Sequence, residues 1–144
     1  MITVNQMLND KKDGVFTVTP EDTLHHALKV MADKNIGAVV VVKQGKIVGM
    51  FSERDFVRNA VADRKISIDM KVSQLMTTVV CYVRPEQAID ECMALMTEKR
   101  TRHLPVLDGE KLIGIISIGD VLKHTIAEKE FTIQNLETFI SGGL

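Results

Sequence analysis

The chain has 144 residues and a mass of 16.0 kDa, which suits one compact domain or two small ones that share a core. Hydrophobic residues make up 45% and charged residues 26%, the usage of a globular protein, which excludes a disordered chain. A formal net charge of −1 and 4% aromatic residues argue against a nucleic-acid partner, which needs a basic excess and stacking surfaces, although a local basic patch stays open.

The cysteines and the hydropathy pattern indicate the cellular compartment in which the protein is found. Cys81 and Cys92 are too few for a disulfide framework and lack metal-ligand spacing, so we expect buried free thiols. No apolar run is long enough to span a bilayer. The first 14 residues lack the basic head and apolar stretch of a signal peptide. We expect a cytoplasmic protein with no membrane partner.

The first half alternates short strands with helices. Thr19 is a plausible N-cap and Pro20 a good first helical residue, while Leu24, Ala27 and Met31 recur at helical spacing. The apolar run GAVVVVK predicts a buried strand, and a tight turn joins it to KIVGMFS in an antiparallel hairpin. The predicted order is β-α-β-β-α, over residues 15–18, 19–35, 37–43, 46–52 and 53–62.

The second half repeats the first at a separation of 65 positions. The identical pairs at this separation include Pro20/Pro85, Gly49/Gly114, Ser52/Ser117 and Asp55/Asp120. The same five elements are therefore predicted over residues 80–83, 86–99, 103–108, 111–117 and 119–128. The fold class predicted is α/β, of the α+β type, with two pseudo-symmetric repeats packed through their sheets.

Similar lead-ins, VNQML at residues 4–8 and VSQLM at residues 72–76, precede the two halves. We predict a first repeat with its lead-in over residues 1–66, a second over 67–128 and a C-terminal helix or tail over 129–144. Gly142 and Gly143 suit a helical stop. The tail has an apolar face that either packs back on its own chain or, as we favour, joins two copies; its residues are Phe131, Ile133, Leu136, Phe139 and Ile140.

Both repeats place the motif Gly-x-x-Ser-x-x-Asp where a strand meets a helix. With GAVVVV, SERD and TRHLPV around it, the chain resembles a tandem pair of cystathionine-β-synthase (CBS) domains, or Bateman module, of the small stand-alone bacterial type. The resemblance covers roughly residues 4–128, so we expect no attached enzyme or transporter. It implies a regulatory, non-catalytic sensor that binds AMP, ADP, ATP, NAD or S-adenosylmethionine, and a homodimer.

The resemblance also implies two composite nucleotide sites, each drawing on both halves. An Asp at a helix start can accept hydrogen bonds from both ribose hydroxyls, and a helix start favours phosphate. The first site would combine Ile115, Ser117 and Asp120 with Ile36, Gly37 and Ala38. The second would combine Met50, Ser52 and Asp55 with Thr101, Arg102 and His103, and Arg54 would be a further phosphate partner.

The two halves differ where the cations lie. Arg102 and His103 correspond to Gly37 and Ala38, and Arg54 corresponds to Gly119. We therefore expect two unequal sites, one of which binds a phosphorylated ligand more tightly. These cations also favour AMP, ADP, ATP or NAD over S-adenosylmethionine, whose sulfonium is cationic.

Plainer interpretations stand beside these. Asp55 and Asp120 could simply favour the helix dipole, and His103 beside Arg102 could be a solvated pair. The other histidines lack the spacing of metal ligands, so we expect no metal site. The sequence also shows no nucleophile paired with a base, so we expect no catalysis. The alternative function is a structural or protein-interaction module whose clefts have decayed. Either module could act on a protein target that the sequence does not identify.

Overall fold

The computed structural model describes residues 1–11, 14–78 and 80–140. Contacts divide the chain into a unit of Met1–Asp13 with Tyr82–Leu144 and a unit of Gly14–Cys81. The predicted mixed α/β class is confirmed. The elements are α1 (Val4–Asp10), β1 (Thr17–Val18), α2 (Leu24–Lys34), β2 (Ala38–Lys43), β3 (Lys46–Ser52), α3 (Glu53–Ala62), a 3-10 turn (Val72–Gln74), α4 (Ile89–Lys99), β4 (His103–Asp108), β5 (Lys111–Ser117) and α5 (Ile118–Ile140).

The unit Gly14–Cys81 is built on a three-stranded sheet in the order β1-β2-β3. Strand β1 runs parallel to β2, and β2 forms the predicted antiparallel hairpin with β3. Gln44 and Gly45 both have positive φ, at 52° and 77°, which gives the hairpin its tight turn. The buried face of α2 packs on this sheet through Leu24, Ala27 and Met31, as the helical spacing predicts.

The start of α2 differs from the prediction. The N-cap is Thr23, whose side chain accepts from the N–H of His26 at 3.1 Å, whereas Thr19 lies in a turn closed by Asp22. The carbonyls of Pro20 and Asp22 accept N–H groups from residues 73 and 72 instead of continuing a helix. The prediction of Thr19 as the N-cap is therefore wrong. The lead-in at residues 72–76 donates to the carbonyls that a helix beginning at Pro20 would use for its own hydrogen bonds.

The unit containing the second repeat has a two-stranded sheet, β4-β5. The strand predicted at residues 80–83 is reduced to one parallel bridge between Val83 and Val106. Pro105 stands where the first repeat has Val40, the partner of Thr17. Proline has no N–H, so the hydrogen bond that the N–H of Val40 can donate to the neighbouring strand has no counterpart at Pro105.

Each lead-in packs in the unit of the other repeat. The N–H of Val4 donates to Gln87 at 2.8 Å, and the N–H of Val72 donates to the equivalent Asp22 at 2.8 Å. The compact units are therefore not continuous stretches of sequence. The predicted boundaries at residues 66 and 128 describe the sequence repeats, and they stay predictions.

The motif glycines allow these lead-ins to approach the sheets closely. A Cβ at Gly49 would lie 2.8 Å from the carbonyl oxygen of Thr77, and one at Gly114 would lie 2.6 Å from a terminal methyl of Leu8. Both distances are shorter than van der Waals contact. The glycines thus serve packing of the lead-in within each unit.

Gly49→Ala is expected to lower the free energy of unfolding by about 1–3 kcal/mol, because the new methyl meets a backbone oxygen that cannot rotate away. Gly114→Ala is the matched control, since the side-chain end of Leu8 can change rotamer. Urea unfolding of both variants measures the difference. Equal losses, or a larger loss for Gly114→Ala, would contradict this account of Gly49.

The tail predicted as a separate segment continues the last helix, so α5 runs unbroken for 23 residues. The helical stop expected at Gly142 and Gly143 lies outside the described residues. The interpretation that the tail packs back on its own chain is wrong for the part of α5 that the structure describes. Its apolar side chains are exposed, by 65% at Phe131, 54% at Ile133, 55% at Leu136, 83% at Phe139 and 81% at Ile140.

The two thiols are unpaired, as expected, but differ in environment. Cys92 is fully buried in α4, and burial, with a smaller effect of the Glu91 charge, raises its pKa to about 11. Cys81 is only half-buried, so the expectation of a buried thiol is wrong at this position. Cys92 therefore packs as a small apolar side chain.

Candidate functional site

The Ser-x-x-Asp motif forms the same reciprocal hydrogen bonds in both units. The N–H of Ser52 donates to Asp55 Oδ2 at 3.0 Å, and the N–H of Asp55 donates to Ser52 Oγ at 3.1 Å. The corresponding distances for Ser117 and Asp120 are 2.8 and 3.1 Å. This is a capping box with Asp in place of the usual Glu. It begins α3 and α5 and fixes each carboxylate at the end of a strand.

The hairpin places further predicted residues beside each capping box. Ala38 is the cross-strand partner of Ser52, and His103 is the partner of Ser117. The Gly37 carbonyl accepts from the first N–H of α3 at 3.1 Å, and the Arg102 carbonyl accepts from that of α5 at 2.8 Å. One unit thus holds Ile36, Gly37, Ala38, Met50, Ser52, Arg54 and Asp55, and the other holds Thr101, Arg102, His103, Ile115, Ser117 and Asp120.

Each of these two groups of residues therefore lies within a single unit. The composite pairing of residues from the two halves, and with it the binding role of all thirteen positions, stays a prediction. Arg102 is exposed, and Arg54 is half-buried in the first turn of α3. Thr101 supports the start of β4, because its hydroxyl donates to the carbonyl of His103 at 3.0 Å.

Lys11 joins the site around Asp120, a role that the sequence analysis missed. Its Nζ donates to Asp120 Oδ2 at 2.8 Å and to the Ile115 carbonyl at 3.0 Å. Burial would raise the pKa of Asp120, but the hydrogen bonds from Lys11 and Ser117 outweigh it and hold the pKa below its ordinary value. Asp120 is therefore ionised at neutral pH.

His103 is neutral at physiological pH. Burial lowers its pKa, the nearby charges of Lys11 and Arg102 lower it further, and Asp120 opposes them. A neutral imidazole can give a hydrogen bond to a phosphate but adds no positive charge. The positive charges that act on His103 thus come from Lys11 and Arg102.

The lowered pKa of His103 predicts a loss of stability in mild acid. Because the unfolded chain takes up the proton first, the contribution is complete above about pH 6.5 and is lost as the pH falls towards the lower folded pKa. The slope over this window is at most about 1.4 kcal/mol per pH unit. Urea unfolding from pH 7.5 to 5.5 measures it. His103→Gln should flatten the profile, and an unchanged profile would contradict the prediction.

In the described residues, no group of three or more His, Cys, Asp or Glu side chains is arranged to hold a metal ion. Across residues 1–11, 14–78 and 80–140, no helix combines the length and apolar character needed to cross a bilayer.

Comparison with known proteins agrees with the repeat. The profile of the CBS domain matches residues 11–62 and 72–126. CBS domain-containing protein CBSX3, mitochondrial, from Arabidopsis thaliana is 38% identical over 130 residues. That match covers 87% of this chain, which spans 63% of the length of the plant protein.

Solved structures share the fold. A protein with CBS domains from Burkholderia ambifaria MC40-6, described as a candidate signal-transduction protein, is 50% identical with a TM-score of 0.82 over 88% of this chain and 95% of that one. The CBS domain pair of protein MJ0100, solved with 5′-methylthioadenosine and S-adenosyl-L-methionine, is 21% identical with a TM-score of 0.78 over 89% and 98% of the two chains. The latter likeness concerns the fold alone. With its two matched repeats and the same junction in each, this chain belongs to the CBS-domain family as a tandem pair.

Proposed function

We propose that this protein is a non-catalytic sensor of an adenine nucleotide and that Asp55 and Asp120 each hold a ribose. Regulation without catalysis is the general role of CBS pairs. The ligand proposed is AMP, ADP, ATP or NAD. The cytoplasm is the proposed location, and the two unpaired cysteines are consistent with it.

The observation that carries the proposal is the identical capped carboxylate in both units. Each capping box uses only Oδ2 of its Asp. Oδ1 of Asp55 and of Asp120 accepts no hydrogen bond from any residue that the structure describes. A carboxylate fixed in this way, with an oxygen available, suits the adjacent hydroxyls of a ribose.

The ligand class is supported by two further observations. The MJ0100 pair, which shares the fold, was solved with two adenosyl compounds. In this chain, Lys11 and Arg102 lie in the same unit as Asp120, which favours a ligand that carries phosphate. Apolar side chains at Ile36, Met50 and Ile115 would support an adenine ring.

The second candidate is a protein-interaction module without a ligand. One observation favours it specifically: helix capping and the Lys11 ion pair together account for Ser117 and Asp120. In that case the repeated motif serves folding, and the module acts through a protein target.

Thermal unfolding with AMP, ADP, ATP, NAD and S-adenosylmethionine separates the two candidates. A ligand at 100 times its dissociation constant should stabilise the folded chain by about 2.7 kcal/mol, a shift of several degrees. GTP at the same concentration is the control for non-specific anion binding. If no adenine nucleotide shifts the midpoint more than GTP does, the sensor proposal is wrong and the interaction module is favoured.

We further propose that α5 pairs with a second copy of the chain. Five of its exposed apolar residues follow spacings of four and three, with Lys129 as the one interruption, and Phe131 and Phe139 lie outside this spacing. The five are Leu122, Ile126, Ile133, Leu136 and Ile140. Isoleucine thus falls at every a position of a heptad between residues 122 and 140, and leucine falls at two of the three d positions there. This pattern favours two parallel helices.

A further inference from the structure

The Lys11 ammonium lies within the site proposed for a nucleotide. It contacts Asp120 Oδ2 at 2.8 Å and the Ile115 carbonyl at 3.0 Å, and both charged side chains are largely covered, with 21% and 26% exposed. Both acceptors belong to positions expected to bind the ligand. Oδ1 of Asp120 is available to one ribose hydroxyl, but a second hydroxyl needs Oδ2, so Lys11 and a nucleotide compete for that oxygen.

The contact distinguishes the two repeats. The carbonyl of Met50, which corresponds to Ile115, accepts the backbone N–H of Thr77 at 2.8 Å rather than a lysine. The lead-ins align at a separation of 68, which places Val79 opposite Lys11 in the sequence. Valine has no charge, so the second lead-in carries no cation at the position that corresponds to Lys11.

The position of Lys11 is fixed from several sides. It is the C-cap of α1, and its N–H donates to the Met7 carbonyl at 3.1 Å. The preceding turn packs through Leu8 against Gly114 on β5, and Asp10 Oδ2 lies 3.3 Å from His124 Nε2 on α5. These contacts hold the backbone of Lys11 so that its side chain reaches the capping box of Ser117 and Asp120.

We propose that Lys11 determines ligand specificity at the Asp120 site, by exchanging the Asp120 carboxylate for the phosphate of a bound nucleotide. This inference rests on the proposed function. It implies that the site takes AMP in preference to adenosine and to S-adenosylmethionine.

The charges explain this order of preference. When a ribose takes the Asp120 carboxylate, the displaced ammonium needs another partner, because a partly buried charge left unpaired is unfavourable. The phosphate on the same sugar supplies that partner within the reach of a lysine side chain. Adenosine offers none, and the sulfonium of S-adenosylmethionine adds a second positive charge near Lys11.

The test is calorimetric titration of the full chain with AMP, adenosine and S-adenosylmethionine, for wild type, Lys11→Met and Lys11→Arg. We expect wild type to prefer AMP over adenosine by about 10-fold or more, the range of one charge-assisted hydrogen bond. Lys11→Met should remove most of this ratio by weakening AMP and tightening adenosine, while Lys11→Arg should keep it. Circular dichroism checks that the variants fold.

The outcomes separate this inference from the function on which it rests. If all three proteins bind AMP with the same preference over adenosine, the Lys11 inference is wrong and the sensor function stands. The same holds if Lys11→Arg loses the preference as fully as Lys11→Met does. If wild type binds none of the three compounds, the Lys11 inference is overturned, and thermal unfolding with ADP, ATP and NAD decides the sensor function separately.

Discussion

Asp120→Ala is expected to weaken adenine-nucleotide binding to its site by about 10²- to 10⁴-fold. The loss corresponds to two charge-assisted hydrogen bonds to the ribose, at about 1.5–3 kcal/mol each. Part of this loss is offset, because the ligand must break the Lys11–Asp120 ion pair in the wild type but not in the variant, which lacks that pair. Calorimetric titration of the wild type and the variant measures the change.

Two variants control for the structural role of the same side chain. Asp120→Asn can still accept the Ser117 N–H through its amide oxygen, so the helix cap survives while the charge is lost. Its binding should lie between those of wild type and Asp120→Ala. Asp55→Ala makes the matched change in the other unit, where Lys11 has no counterpart in the sequence.

The two aspartates should give unequal results. Because the cations differ between the halves, the loss for Asp120→Ala and the loss for Asp55→Ala should differ in size. Two identical sites per chain in the wild type would contradict this expectation. Unchanged nucleotide binding in both alanine variants would show that neither capping box holds a ribose.

The strands of the fold could be read from the sequence where local signals agree. The hairpin strands β3, β4 and β5 begin and end where predicted, because glycine turns and short apolar runs indicate the same boundaries. The N-cap of α2 could not be read. Thr19 and Thr23 are both plausible caps, and the choice depends on backbone groups supplied by residues 72 and 73.

Only the site contacts between residues close in the sequence could be predicted. The Ser-x-x-Asp capping boxes close over three residues, so their spacing is visible in the sequence. Lys11 lies 109 positions from Asp120, and the exchange of lead-ins between units brings them together. The 68-residue offset of the lead-ins pairs Lys11 with Val79 and does not point to Asp120.

The second large effect is expected at the seam of α5, the exposed apolar residues at its a and d positions. Leu136→Asp should weaken self-association by about 100-fold or more, because each of two copies loses a buried leucine worth roughly 1.5–3 kcal/mol. Sedimentation velocity over a range of protein concentrations measures the shift from dimer to monomer. A chain that ends at Glu130 removes most of the seam and should be monomeric.

The control is a charge placed beside the seam. Gln134 is exposed on α5 but lies outside the a and d positions, so Gln134→Asp should leave the dimer intact. The comparison matters because an added charge can lower association by repulsion alone. A stable dimer in the chain that ends at Glu130 would show that the two copies pair elsewhere, and α5 would then need another partner for its exposed apolar face.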